Sequence, residues 1–220
     1  YWKHGSVSED YGRIRIPVYA IGGWADAYRN TVFRLLENLE CPRKGLVGPW
    51  AHKYPNIAYP EPRIDYVGES VRWWDHWLKH IDNGIMDEPP LHYYLLDSVL
   101  PRVDYDDRGG SWQCEPSWPS PTIARQELYL RPGQLTPRQS EELHIAEVAS
   151  PETVGRAAGK LMVGIGFRQE FPADQRPDDE ASLSFDTSPL EKALAIVGQP
   201  VLRLKLSSDR ALSNLAVRLC

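Results

Sequence analysis

At 220 residues, with 42% hydrophobic and 25% charged side chains, the chain has the make-up of a globular protein able to bury one sizeable core or two smaller ones. A formal net charge of −5 supplies no basic footprint for nucleic acid and no polybasic segment for anionic lipid. No apolar run approaches the roughly 18 residues that a membrane-spanning helix needs, so neither nucleic acid nor membrane is an expected partner.

In chain order, residues 16–21 (“IPVYAI”) read as a near-continuous apolar strand of the kind buried in a parallel sheet. Val32, Phe33, Leu35, Leu36 and Leu39 then recur with helical spacing, and Asn30 is the expected N-cap. Residues 44–48 form a second short strand stopped by Pro49, and a proline-containing loop covers residues 54–63. Val67, Val71, Trp74, Trp77, Leu78 and Ile81 predict a second helix whose apolar face enters the core, with Asn83 and Gly84 as its stop. Strand, helix, strand, helix at this spacing implies a parallel sheet with packed helices.

Past Pro89 and Pro90 the pattern changes to short strand-like runs: “LHYYLLD”, “QELYLRPG”, “LMVGIG”, “SLSFDT” and “PVLRLKLSS”. “LRLKL” alternates apolar and charged residues, as a strand with one solvated face does. The expected fold class is therefore α/β followed by all-β, the second part an antiparallel β-sandwich or a portion of one. “FPADQRPDDEA”, residues 171–181, is expected to be a polar loop.

Functional groups of open α/β sheets gather at the C-terminal ends of strands. Asp26 lies just past one such end, in “GGWADAY”, and His52 past the next, in “GPWAH”, with one helix between them. Neighbouring strands would bring a carboxylate to an imidazole there. A general-base histidine needs such a partner, which fixes its tautomer and stabilises the charge it acquires. Acid, helix, then histidine is also the order of the last two members of an α/β-hydrolase triad. Read singly, Asp26 is equally a helix-start acid favoured by the dipole, His52 a loop histidine, and Trp24 and Trp50 packing residues.

Taken together, “GGWADAY” and “GPWAH” resemble the paired signatures of the cocaine-esterase and X-Pro dipeptidyl-peptidase group of α/β-hydrolases, which includes α-amino-acid ester hydrolases and glutaryl acylases. The opening “YWKHGSVSEDYGRIRIPV” resembles the family's passage from helical cap to sheet. “ELYLRPGQL”, “PADQRP” and “PVLRLKLSSD” resemble its jelly-roll domain. The resemblance implies a serine hydrolase of ester or amide bonds, X-Pro peptides included, with Asp26 as catalytic acid and His52 as catalytic base. It implies residues 1–88 as the C-terminal part of the catalytic domain and 89–220 as a jelly-roll β-sandwich, incomplete at its C-terminus. The implied partner is a small ester, amide or short peptide; no cofactor is implied, and a homo-oligomer is left open.

Ala51 and Ala27 depart from the family, which often has Ser before the histidine and Gly after the acid. The family's nucleophile sits in G-x-S-x-G, and that pattern does not occur here: “HGSVSED” and “GGSWQ” both fail it. The chain also opens at Tyr1 without Met and closes on what reads as mid-strand, so it is expected to be a fragment that is inactive alone. The location is open, the cytoplasm being favoured. The rival reading is a non-catalytic β-sandwich binding module with a remnant α/β segment.

Other constellations carry less. His76 and His80 share one helix face in “DHWLKH” but lack the Glu and third ligand of a zinc site; a metal site built from Asp26, His52, His76 and His80 is a third reading. Asp178, Asp179 and Glu180 lack the ligand spacing of a calcium loop. Cys41, Cys114 and Cys220 are odd in number and without a CxxC, so buried free thiols are expected. His4 and His144 stand without supporting context.

Overall fold

The computed structural model describes residues 2–142, 144–159 and 171–220. After two single-turn 3-10 helices, Val7–Glu9 and Tyr11–Arg13, come β1 (Val18–Gly23), α1 (Arg29–Asn38), β2 (Arg43–Gly48), α2 (Tyr66–Lys79), β3 (Leu91–Leu96) and β4 (Gly110–Glu115). These four strands make one sheet in the order β1-β2-β3-β4; β1, β2 and β3 run parallel and β4 is antiparallel. Strands β5 (Tyr129–Arg131) and β6 (Gln134–Thr136) form a second, two-stranded antiparallel sheet, and α3 (Arg176–Asp179) is a short helix. The first sheet continues across residue 88: Gly45 of β2 aligns with Leu91 of β3.

One core lies between α1 and the sheet, where Val32, Phe33 and Leu36 meet Val47, Leu91 and Tyr93. The expected apolar face of α1 is thus inside. Its start differs, because Asn30 lies within the helix and Tyr28 occupies the cap position without a side-chain bond. The first turn is entered instead from Asp26, whose Oδ1 accepts the Tyr28 N–H at 2.8 Å.

Helix α2 departs further from expectation. Asp65 caps it, accepting the Gly68 N–H at 2.9 Å, and it stops at His80 in a left-handed conformation, before Asn83 and Gly84. Of its residues only Trp73 is buried, against Tyr19 of β1 with ring centroids 5.3 Å apart. Val67, Val71, Trp74 and Leu78, expected in the core, are solvent-exposed, as is Ile81 beyond the helix end. The underside is held by charge. Lys44 on β2 is 1% exposed and donates to the Ile85 carbonyl at 2.7 Å and to Glu88 at 2.6 Å. Arg72 of α2 bonds Glu88 and also Glu69, the latter at 2.7 Å. An ammonium this deep is tolerable only when its donors are satisfied.

The later expectations meet mixed outcomes. “LHYYLLD” contains β3, but its parallel partner is β2. “QELYLRPG” contains β5, and the turn into β6 passes Gly133 at φ 66°. “SLSFDT” contributes a single bridge, Asp186 to Gln134. “PVLRLKLSS” forms no strand among the described residues, because alternation chooses a face and cannot supply a neighbour's hydrogen bonds. “LMVGIG” lies outside the described residues. The polar loop at residues 171–181 holds α3 and a buried Asp178. Among the cysteines only Cys41 is buried; Cys114 and Cys220 are free and exposed.

Candidate active site

The site follows from register. Gly23, the last residue of β1, is aligned with Gly48, the last residue of β2, so both strands end at one level of the sheet. Past that level the two chains stay joined: the Trp24 N–H donates to the Gly48 carbonyl at 2.9 Å and the Ala25 N–H to the Trp50 carbonyl at 3.1 Å. The approach is close enough to require glycine, since a Cβ on Gly23 would lie 2.0 Å from the Trp50 oxygen. Trp50 is itself fixed, its indole buried and donating to the Pro62 carbonyl at 2.7 Å.

This seam delivers Asp26 and His52 to the same rim. His52 Nδ1 lies 2.8 Å from Asp26 Oδ2. The other carboxylate oxygen accepts the Tyr28 N–H in a local turn, and the Asp26 N–H bonds back to the Gly23 carbonyl at 3.1 Å. One Asp26 oxygen thus bonds the turn that leads into α1, and the other bonds the imidazole. Nε2 of His52 has no partner among the described residues, and the side chain is 43% exposed against 15% for Asp26. An imidazole held at Nδ1 and open at Nε2 can accept a proton at the free nitrogen and hand it on.

Two participants were not visible in the motif spacing. The Tyr28 ring stands 5.9 Å from the imidazole, tilted by 53°. The Trp24 indole N–H donates to the Tyr94 carbonyl on β3 at 2.7 Å. Tyr28 carries a readable signal, because an Asp commonly bonds the N–H two residues on; the Trp24 contact spans 70 residues and carries none.

The other histidines lie apart from this pair. His76 Nδ1 is buried without a hydrogen bond among the described residues, its ring edge-on to Trp77. His80 caps α2, and His144 is 4.0 Å from Glu142. Among the described residues no three His, Cys, Asp or Glu side chains are grouped to hold a metal ion. A hollow of about 480 Å³ is lined by residues of the N-terminal segment, including His4, and by neither member of the pair.

Comparison with known proteins adds to this geometry. The family profile of the X-Pro dipeptidyl-peptidase C-terminal non-catalytic domain matches residues 83–220, and that of the X-Pro dipeptidyl-peptidase S15 family matches residues 1–54. A Mycobacterium bovis protein bearing the name serine esterase is 27% identical over 202 residues, covering 87% of this chain and 30% of its own length. A Bacillus cereus protein named as an Xaa-Pro dipeptidyl-peptidase is 26% identical over 228 residues, covering 100% of this chain and 34% of its own length. The chain thus spans about a third of the curated relatives it matches. A CocE/NonD family hydrolase from Staphylococcus aureus aligns with a TM-score of 0.47 at 16% identity, over 62% of this chain and 23% of that one. With one profile covering more than half of its residues and a second covering the segment that carries Asp26 and His52, the chain belongs to the family of X-Pro dipeptidyl-peptidases.

Proposed function

We propose that Asp26 and His52 are the acid and base of a Ser-His-Asp triad that cleaves ester or amide bonds, X-Pro peptide bonds among them. The nucleophilic serine and the oxyanion donors then come from a part of the parent polypeptide other than these 220 residues. The observation that carries the reading is the 2.8 Å contact between His52 Nδ1 and Asp26 Oδ2 at the aligned ends of two parallel strands.

The mechanism follows from that contact. Asp26 keeps the proton on Nδ1, so Nε2 presents its lone pair to the serine hydroxyl. As the serine oxygen attacks the carbonyl, Nε2 takes its proton and Asp26 stabilises the imidazolium. His52 then protonates the departing alcohol or amine, leaving an acyl-enzyme. Water attacks the acyl-enzyme with His52 again as base, restoring the serine. In this reading the β1-β2-β3-β4 sheet, which runs past residue 88, belongs to the catalytic domain. The chain beyond it belongs to a jelly-roll domain that helps wall a pocket for a small ester, amide or short peptide.

The test is labelling of the full-length parent with a fluorophosphonate. Rapid modification of one serine, slowed by several orders of magnitude in His52→Ala, is expected. Absence of a labelled serine, or a rate indifferent to His52, would overturn the proposal.

A further inference from the structure

Trp24 links two stretches of chain that match different family profiles. Its backbone N–H bonds to the Gly48 carbonyl on β2, and its indole N–H reaches the Tyr94 carbonyl on β3. Tyr94 falls in the segment matched by a domain described as non-catalytic. The indole also stacks on Phe33, at 5.5 Å and 20°, and Phe33 meets Trp118 of the same segment at 4.7 Å. Trp118 and Val197, both from that segment, pack on the core cluster that contains Phe33.

The backbone of the loop beyond β1 is joined to Gly23, Gly48 and Trp50, but its side chains add few anchors. Ala25 and Ala27 offer only methyl groups, and Tyr28 is 61% exposed. Asp26 bonds His52 in the neighbouring loop, and Trp24 is the residue of this loop whose side chain hydrogen-bonds a strand of the sheet among the described residues. Its anchor lies two residues before the carboxylate, and a displacement of about 1 Å at such a group can cost on the order of a hundredfold in rate.

Building on the triad reading, we infer that Trp24 is a positioning residue through which the segment at 83–220 holds Asp26 in register with His52. Residues of that segment, β3 among them, then act on catalysis without touching substrate. The carbonyl at Tyr94 fixes the indole, and the indole fixes the peptide leading to the acid.

The test follows the His52 Nδ1–H proton by NMR in the 220-residue chain with labelled histidine. Trp24→Phe keeps an aromatic ring on Phe33 and removes the donor; solvent exchange of the Nδ1–H should accelerate about tenfold or more. Leu36→Ala, a loss of packing in the same core that removes no hydrogen bond from the loop, should leave that exchange unchanged. Unaltered exchange in Trp24→Phe, or equal acceleration in Leu36→Ala, overturns the inference. If Trp24→Phe does not fold, Trp24→Tyr carries the test: it keeps a ring on Phe33 and removes the indole donor, and unaltered exchange there overturns the inference equally. Asp26→Asn separates the two levels of the argument. A Nδ1–H indifferent to Asp26→Asn overturns the triad reading itself, whereas one that responds to Asp26→Asn and not to Trp24→Phe overturns only the positioning role. In the full-length enzyme Trp24→Phe should lower kcat about tenfold with KM unchanged; a change confined to KM would count against it.

Discussion

At the rim of the sheet His52 is the open member of its pair and Asp26 the shielded one. That asymmetry suits the proposed roles, since a base must meet its substrate while an acid that orients it is strongest away from water. Under the proposed mechanism His52→Ala in the full-length parent should lower kcat on the order of 10⁴-fold or more, with the fold intact by circular dichroism. Asp26→Asn should cost a comparable factor, because an amide lets the imidazole take the wrong tautomer. A near-wild-type rate in either variant would contradict the assignment. The two residues are legible in the sequence because each follows a glycine-ended apolar run, and parallel neighbours end together. Gly23 of the flanking motif has to be glycine, because the Trp50 oxygen occupies the place of its missing side chain.

Among the elements, α2 shows what periodicity alone misjudges. Its apolar residues repeat with helical spacing, but Trp73 is the one buried against the sheet while Val71, Trp74 and Leu78 face solvent. Spacing identifies a helix and an apolar stripe; which side meets the sheet depends on how the preceding loop delivers the helix. Two substitutions separate the faces in chemical denaturation of this chain. Trp73→Ala should cost about 3–5 kcal/mol, as loss of a buried aromatic does. Leu78→Glu, on the exposed side, should change stability by no more than about 0.5 kcal/mol. Equal costs would mean that α2 sits on the sheet by its other side. The missed strand β4 has a different cause: “GSWQCE” is mostly exposed at the edge of its sheet and carries no strong apolar signal.

For the whole molecule, two acidic groups tie distant segments together. Burial pushes the Glu88 carboxyl up, but hydrogen bonds and charge from Arg72 and Lys44 outweigh it and hold it below the ordinary value of 4.5. Glu115 on β4 behaves alike: burial raises it, and hydrogen bonds from Ser120, Thr122 and Tyr93 bring it below 4.5. A carboxyl depressed in the folded state contributes stability that is present above its unfolded value and lost as pH falls through the folded one. The chain should therefore lose stability on acidification below about pH 4.5. The double variant Glu88→Gln and Glu115→Gln should be less stable at neutral pH yet flatter across that acid limb. Denaturation midpoints measured against pH check this, and an acid limb as steep in the variant as in the parent chain would refute it.

The sequence by itself determined the alternation of strand and helix in the first half, the strand ends that carry Asp26 and His52, and the family to which the chain belongs. These rest on local patterns, such as apolar runs, glycine stops and short motifs, which need only neighbouring residues to be read. Tertiary structure alone decided that the sheet crosses residue 88 to include β3 and β4, that α2 turns Trp73 inward, and that Lys44 is buried on Glu88. It also decided that Trp24 bonds to Tyr94. Each of these joins residues far apart in the chain, and partnership across such distances is set by packing and by the need to satisfy buried polar groups. A one-dimensional pattern does not record it.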